Sequence, residues 1–210
     1  IGYRTFPPKY ESKCIEYLKG FESISVREKS ACKTVAESVD KDVENVLDPT
    51  LLLSDLRWLD IAKKPRNLPH RYILVYMMEG CKYTIEKARA LARDKECDLV
   101  LINPTLRQRQ TCKDFVMYKA ASPEEFVGMF AQADAVVTNS FHGVAFSIIF
   151  KKEFYAETSN AEKSARIVDL LALFDLSDRI LPNEINGKPN WKKVNSQLIK
   201  EKNKSISWLK

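Results

Sequence analysis

The run Tyr72-Ile73-Leu74-Val75-Tyr76-Met77 is apolar throughout, without the polar–apolar alternation of a strand wetted on one face. It is too short for a buried helix, so it predicts a strand covered on both sides. Asp98-Leu99-Val100-Leu101-Ile102 repeats the pattern, and Thr84 to Lys95 between them reads as a helix. Strand, helix, strand at this spacing implies parallel pairing, because parallel neighbours need a long crossover.

The alternation runs along most of the chain. Phe21 to Val26 reads as a strand, Ser30 to about Ser38 as a helix, and Val46-Leu47 as a very short strand ending in Asp48-Pro49-Thr50. A polar stretch, Asn103 to Gln110, precedes a short strand at Phe115-Val116-Met117. Ser122-Pro123-Glu124-Glu125 opens a helix to about Gln132, with Ser at the N-cap, Pro at the first position and Glu at the third. Strand Ala135 to Val137, helix Phe141 to Ile149, strand Phe154-Tyr155 and helix Ala165 to Leu173 follow. A final amphipathic helix is expected from Trp191 to about Lys204. The expected class is α/β, a parallel sheet with helices on both faces.

Composition bounds the function classes. A chain of 210 residues, 45% hydrophobic, can bury a full-sized core or two small ones. No apolar run approaches the roughly 20 residues of a membrane span. Ile1-Gly2-Tyr3-Arg4 does not read as a signal peptide, and the missing initiator Met leads us to expect further residues upstream, up to an entire N-terminal domain. The net charge of +6 gathers toward the end, at Lys188, Lys192, Lys193, Lys200, Lys202, Lys204 and Lys210. This is either the solvated face of a helix or a docking face for an acidic partner or an anionic membrane. No nucleic-acid motif accompanies it. The cysteines (Cys14, Cys32, Cys81, Cys97, Cys112) are odd in number and scattered, and with two distant histidines they make no zinc set. They read as reduced thiols in a cytoplasmic protein.

Chemistry-bearing residues fall at strand ends. After Ala135 to Val137 comes Thr138-Asn139-Ser140-Phe141-His142-Gly143, a strand-to-helix turn where an open parallel sheet binds ligands. The helix start offers free N–H groups and its positive dipole end to phosphate or carboxylate. Gly143 lets a ligand or a neighbouring strand approach closely. His142 is either an anion donor or general acid/base, or a core histidine bonded to a backbone carbonyl. In Ser25-Val26-Arg27-Glu28-Lys29-Ser30, Arg27 is either a bidentate anion clamp or one half of an ion pair with Glu28 or a nearby acid. If both strands belong to one sheet, their ends face one crevice. Asp48 either orients a ligand hydroxyl or catalytic base, or serves as a turn or cap residue. In Lys163-Ser164-Ala165-Arg166, Ser164 reads as a helix cap and Arg166 as a clamp or a surface charge. No dinucleotide, P-loop or serine-hydrolase fingerprint appears, which weakens those readings.

The stretches FESISVREKS, LDPTLLL, YILVYMM, SPEEFVGMFAQADAVVTNSFHGVAFSIIFKKEFYA and SARIVDLLALFDLSDRIL, in that order, resemble the polysaccharide pyruvyl transferase family over roughly Phe21 to Leu181. The resemblance implies a GT-B-like architecture of two Rossmann-like domains facing a cleft. Residues 1–20 would then be a linker or the end of a missing N-terminal domain, 21–190 a Rossmann-like C-terminal domain, and 191–210 a C-terminal amphipathic helix. It implies transfer of the enolpyruvyl group of phosphoenolpyruvate to a sugar, forming a pyruvate ketal on a surface polysaccharide or its precursor. Arg27 and His142 carry the family's functional positions. Asn139, Ser140, Phe141, Gly143, Glu28, Asp48, Ser164 and Arg166 are expected around the substrate. Many members have Arg-Leu-His-Gly where this chain has Ser140-Phe141-His142-Gly143, so one cationic contact is absent or comes from elsewhere.

Expected partners are phosphoenolpyruvate and a glycan acceptor, lipid-linked precursors included, met in the cytoplasm or at the inner face of the membrane beside other glycan-assembly enzymes. No metal, no cofactor beyond the donor substrate and no nucleic acid is expected. Two competing readings are a nucleotide-sugar glycosyltransferase of the same architecture and a non-catalytic glycan- or partner-binding domain.

Overall fold

The computed structural model describes residues 8–78, 81–158, 161–183 and 187–210. Of the stretch 1–20, residues 1–7 lie outside the described part. A 3₁₀ turn at Pro8–Tyr10 then leads into α1 (Glu11–Lys19). β1 (Ile24–Val26), α2 (Lys29–Val39) and β2 (Val43–Asn45) follow. β1 and β2 pair in parallel, Ile24 opposite Val43, as a two-stranded sheet of their own. Their core is separate too: Ile24, Val26, Ala31, Val35 and Val39 bury one another, with Ile15, Leu18 and Val43 packed at the edge.

This corrects two expectations. The strand ending at Arg27 does not belong to the main sheet. Val46-Leu47 is not a strand either: β2 stops at Asn45, and only the Val46 N–H still donates to Val26, at 3.0 Å. The apolar pair reads as a strand locally, but Pro49 pre-sets a helical φ and Asp48 caps the short α3 (Pro49–Leu52), so the chain turns into a helix. α4 (Asp55–Ile61) comes next, capped by Ser54.

The main sheet begins only at β3 (Tyr72–Tyr76). Then come α5 (Lys82–Lys95), β4 (Asp98–Ile102), α6 (Leu106–Thr111), β5 (Val116–Tyr118), α7 (Pro123–Gln132) and β6 (Ala135–Thr138). α8 (Phe141–Ile149), β7 (Glu153–Glu157), α9 (Ala161–Leu173), β8 (Ile180–Leu181) and α10 (Trp191–Leu209) complete it. All its pairings are parallel, in the order β5-β4-β3-β6-β7-β8.

Period-2 alternation sends successive side chains of each strand to opposite faces. Tyr72, Leu74, Val136, Phe154 and Ala156 pack with Phe130, Val144, Ile148, Ile167 and Leu171 of α7, α8 and α9 on one face. Ile73, Val75, Leu101, Ala135 and Val137 pack with Ile85, Ala88 and Leu91 of α5 on the other. Both faces being covered accounts for the unbroken apolar runs.

α6 lies inside the stretch that looked merely polar. Thr105 and Gln108 form a reciprocal capping box there, and only Gln108 of the helix is buried. α10 runs five residues past the expected end, to Leu209. Val194 plugs into the core, and near the other end Ser205 accepts from the Leu47 N–H at 2.9 Å. Lys204 pairs with Glu44, and Lys202 donates to the Leu53 carbonyl at 2.9 Å. The last helix thus crosses back onto the segment before the main sheet. None of the five cysteines is in a disulfide. Among the described residues no helix is long and apolar enough to cross a membrane.

Candidate functional site

In the main sheet, connections from β3 run outward on one side toward β5, and those from β6 on the other toward β8. The strand order therefore reverses between β3 and β6, which opens a crevice at their carboxyl ends. β6 delivers the turn at Asn139 to Gly143 into that crevice.

Thr138 anchors the turn. Its hydroxyl donates to the Tyr76 carbonyl at 2.6 Å and accepts from the Ser140 N–H at 3.0 Å. Ser140, buried and extended (φ −102°, ψ 136°), occupies the N-cap of α8 without making a side-chain cap bond. The first helical bond runs from the Val144 N–H to the Ser140 carbonyl at 3.1 Å, so the N–H groups of Phe141, His142 and Gly143 have no intrahelical acceptor. A Cβ on Gly143 would stand 2.2 Å from the Thr138 hydroxyl oxygen. The approach of the strand, not of a ligand, is therefore what requires glycine there. Asn139 accepts from the Met78 N–H at 2.8 Å and donates to the Cys81 sulfur at 3.0 Å, which ties the turn to the loop after β3. His142 is not a core histidine: its side chain is exposed, with its ring centre 5.5 Å from that of Phe141 in an edge-on arrangement.

At the end of β1, Arg27 pairs with Asp48 rather than Glu28. Asp48 is buried, and its other oxygen accepts from the Thr50 N–H at 2.9 Å. Burial pushes the Asp48 carboxyl up, but the Thr50 hydrogen bonds and the Arg27 charge outweigh it and hold the group below its ordinary value. Asp48 is thus a cap and an arginine partner at once, not a free base. Glu28 is buried and faces Arg166 of α9, with 3.7 Å between its Oε1 and the arginine Nε. The Arg166 guanidinium carbon lies 5.7 Å from the centre of the Phe141 ring, in cation–π range. Ser30 donates from its N–H (3.3 Å) and hydroxyl (3.0 Å) to Asp169, one turn beyond Arg166. Ser164 is buried inside α9 instead of capping it, because the helix begins at Ala161.

These contacts enclose a cavity of about 360 Å³ between the end of β1, the start of α8 and one face of α9. Of the residues expected around the substrate, Arg27, Asp48, Phe141 and Arg166 line it. Glu28, Asn139, Ser140, His142, Gly143 and Ser164 do not: Glu28 faces Arg166, Asn139 is tied to the loop after β3, Ser140 and Gly143 pack against Thr138, Ser164 is buried in α9, and His142 is exposed. Lys29, Asp169 and Glu201 also line it. The sequence offered no signal for Asp169 and Glu201 beyond helix spacing, since both read as ordinary solvated charges. A smaller apolar cavity of about 220 Å³ lies under α10, away from the strand ends, among Leu53, Ile148, Ile149, Trp191 and Leu198. Among the described residues no three His, Cys, Asp or Glu side chains gather as a metal site.

The strand order, the helices on both faces and the crevice at the switch point define a Rossmann-like domain resembling one half of a GT-B enzyme. UDP-GlcNAc 2-epimerase from Methanocaldococcus jannaschii, solved in complex with UDP-GlcNAc and UDP, has this fold: TM-score 0.52, 15% identity, covering 86% of this chain and 54% of that one. The wall teichoic acid polymerase TagF matches at TM-score 0.46 and 12% identity, over 95% of this chain and 55% of its own. The chain thus spans about half the length of these structures. No curated protein sequence matches it significantly. The family model of polysaccharide pyruvyl transferase matches residues 1–159, and the chain belongs to that family.

Proposed function

We propose that the protein transfers the enolpyruvyl group of phosphoenolpyruvate to two hydroxyls of a sugar, forming a pyruvate ketal on a polysaccharide or its precursor. Family membership supports the reaction class. The observation that carries the site is the meeting of Arg27 and Arg166 in one cavity whose wall includes Phe141, the first residue of a helix with free N–H groups. A phosphate and a carboxylate on adjacent atoms need dispersed cationic and N–H donors, and this arrangement supplies both. Arg166 takes the place of the cation that Ser140 does not provide.

In the reaction a proton adds to the methylene carbon of the donor, leaving an oxocarbenium-like centre. One sugar hydroxyl attacks that centre, and the second displaces phosphate. Of the two hydroxyl protons, one replaces that given to the methylene carbon and the other leaves with phosphate. His142, adjacent to Phe141 and open to solvent, is the general acid/base in this reading. Acceptors include lipid-linked glycans met by a cytoplasmic enzyme at the inner face of the membrane.

The test is phosphate release from phosphoenolpyruvate by the full natural chain, with β-linked galactose, mannose and N-acetylmannosamine acceptors. Acceptor-dependent release is expected, falling by about 10²-fold or more in His142→Ala and in Arg27→Ala. No release, together with tight binding of a nucleoside diphosphate, would overturn the reading in favour of glycosyl transfer.

A further inference from the structure

Glu28 presents a problem that the site as described does not solve. It is 5% exposed, and neither carboxylate oxygen has a hydrogen-bond donor in reach. A buried carboxylate without hydrogen bonds is costly unless a charge partner compensates. The partner here is Arg166, whose Nε stands 3.7 Å away, beyond hydrogen-bond length. Glu28 does not line the cavity, whereas Arg166 does. The carboxylate therefore acts from behind the wall.

The neighbouring residues show how rigidly that wall is set. Arg27 is held by Asp48, and Ser30 by Asp169 on the same face of α9 as Arg166. Glu28 sits between them in sequence as the N-cap residue of α2, with extended backbone (φ −102°, ψ 121°). Its side chain is buried at a strand-to-helix corner, whereas Arg166 is a long side chain about a third exposed (35%). Between this buried carboxylate and the Phe141 ring, the guanidinium has a charge partner and a π face.

We infer that Glu28 is a positioning residue: it holds the Arg166 guanidinium over Phe141, at the mouth of the free helix start, as the second cation of an anion site for phosphate. The inference rests on the anion-site reading above but not on the transfer chemistry. Glu28 contacts Arg166, and Arg166 contacts the anion. The corner that presents Arg27 thereby also sets Arg166, so one tetrapeptide, Arg27 to Ser30, orients both cations.

The experiment is a double-mutant cycle on the full natural chain, with inorganic phosphate and phosphoenolpyruvate as probes and calorimetry as readout. Glu28→Asp keeps the charge and withdraws it by one methylene, so long-range attraction for the anion is unchanged and only the position is altered. It is expected to weaken phosphate binding about tenfold in the native background, and by less than about twofold in an Arg166→Gln background. Arg166→Lys keeps the charge but loses the planar fork, and is expected to show a similar loss. Native affinity in Glu28→Asp, an equal loss in both backgrounds, or native affinity in Arg166→Lys would each overturn the inference. Native affinity in Arg166→Lys overturns the inference even if Glu28→Asp does not fold. Failure of the unsubstituted protein to bind either anion overturns it as well. Phosphate binding that obeys the cycle in a protein that never releases phosphate from phosphoenolpyruvate would sink the proposed transfer and leave the role of Glu28 standing.

Discussion

The Asp48 carboxylate accepts from Thr50 on one oxygen and from Arg27 on the other, and it is buried between them. Its depressed pKa makes it a stability device with a defined pH window. A carboxyl whose folded pKa is lowered contributes fully above its ordinary value, 3.8, and loses that contribution as pH falls below it through the depressed value. Asp48→Asn should cost about 1–3 kcal/mol near neutrality, and the difference should shrink in acid, as pH falls below 3.8 through the depressed value. Urea melts of both proteins near neutrality and in acid check this, and a gap that does not shrink would contradict it. Arg27 and His142 stand out in the sequence because one follows a strand end and the other sits in the first turn of a helix, whereas Arg166 stands out only because the helix is expected to start at Ala165, four residues later than it does. Their partners do not. That Arg27 faces Asp48 while Glu28 faces Arg166 depends on where β2 stops and where α9 docks, neither of which is written in the local pattern.

Helix starts were the most legible elements, because a cap is a local device. Ser122 accepts from the Glu125 N–H at 3.2 Å and Glu125 returns a bond to the Ser122 N–H at 3.0 Å, as the spacing Ser-Pro-Glu-Glu implied. Ser122→Ala should lower stability by about 1 kcal/mol with the fold intact, seen as an earlier thermal midpoint. A tertiary contact can also stand in for a cap, in a helix that periodicity alone makes legible. The start of α5 carries no cap of its own, because Glu157 at the end of β7 accepts from the Thr84 N–H at 2.7 Å and hydroxyl at 2.8 Å. α4 buries no residue fully and α6 only Gln108, so neither shows a continuous apolar stripe.

At the scale of the whole molecule, α10 joins the main sheet to the chain that precedes it. The Leu47 N–H is buried, and the Ser205 hydroxyl accepts from it. Ser205→Ala leaves that donor unpaired and should cost about 1–3 kcal/mol, lowering the midpoint of a single thermal transition. A second, lower transition would instead mean that the helix detaches on its own. The sequence alone determined the main sheet and its coverage on both faces, because unbroken apolar runs between amphipathic helices leave no other way to bury the strands. It also put the turn from Asn139 to Gly143 at the carboxyl end of a parallel strand, although the strand order that makes this end the switch point is a tertiary fact. Only the tertiary structure decided that β1 and β2 form a sheet apart, and which charge meets which across the cavity. Strand partnership and ion pairing join residues far apart in the chain, as with Glu28 and Arg166, and short-range patterning carries no record of which distant surface will close against it.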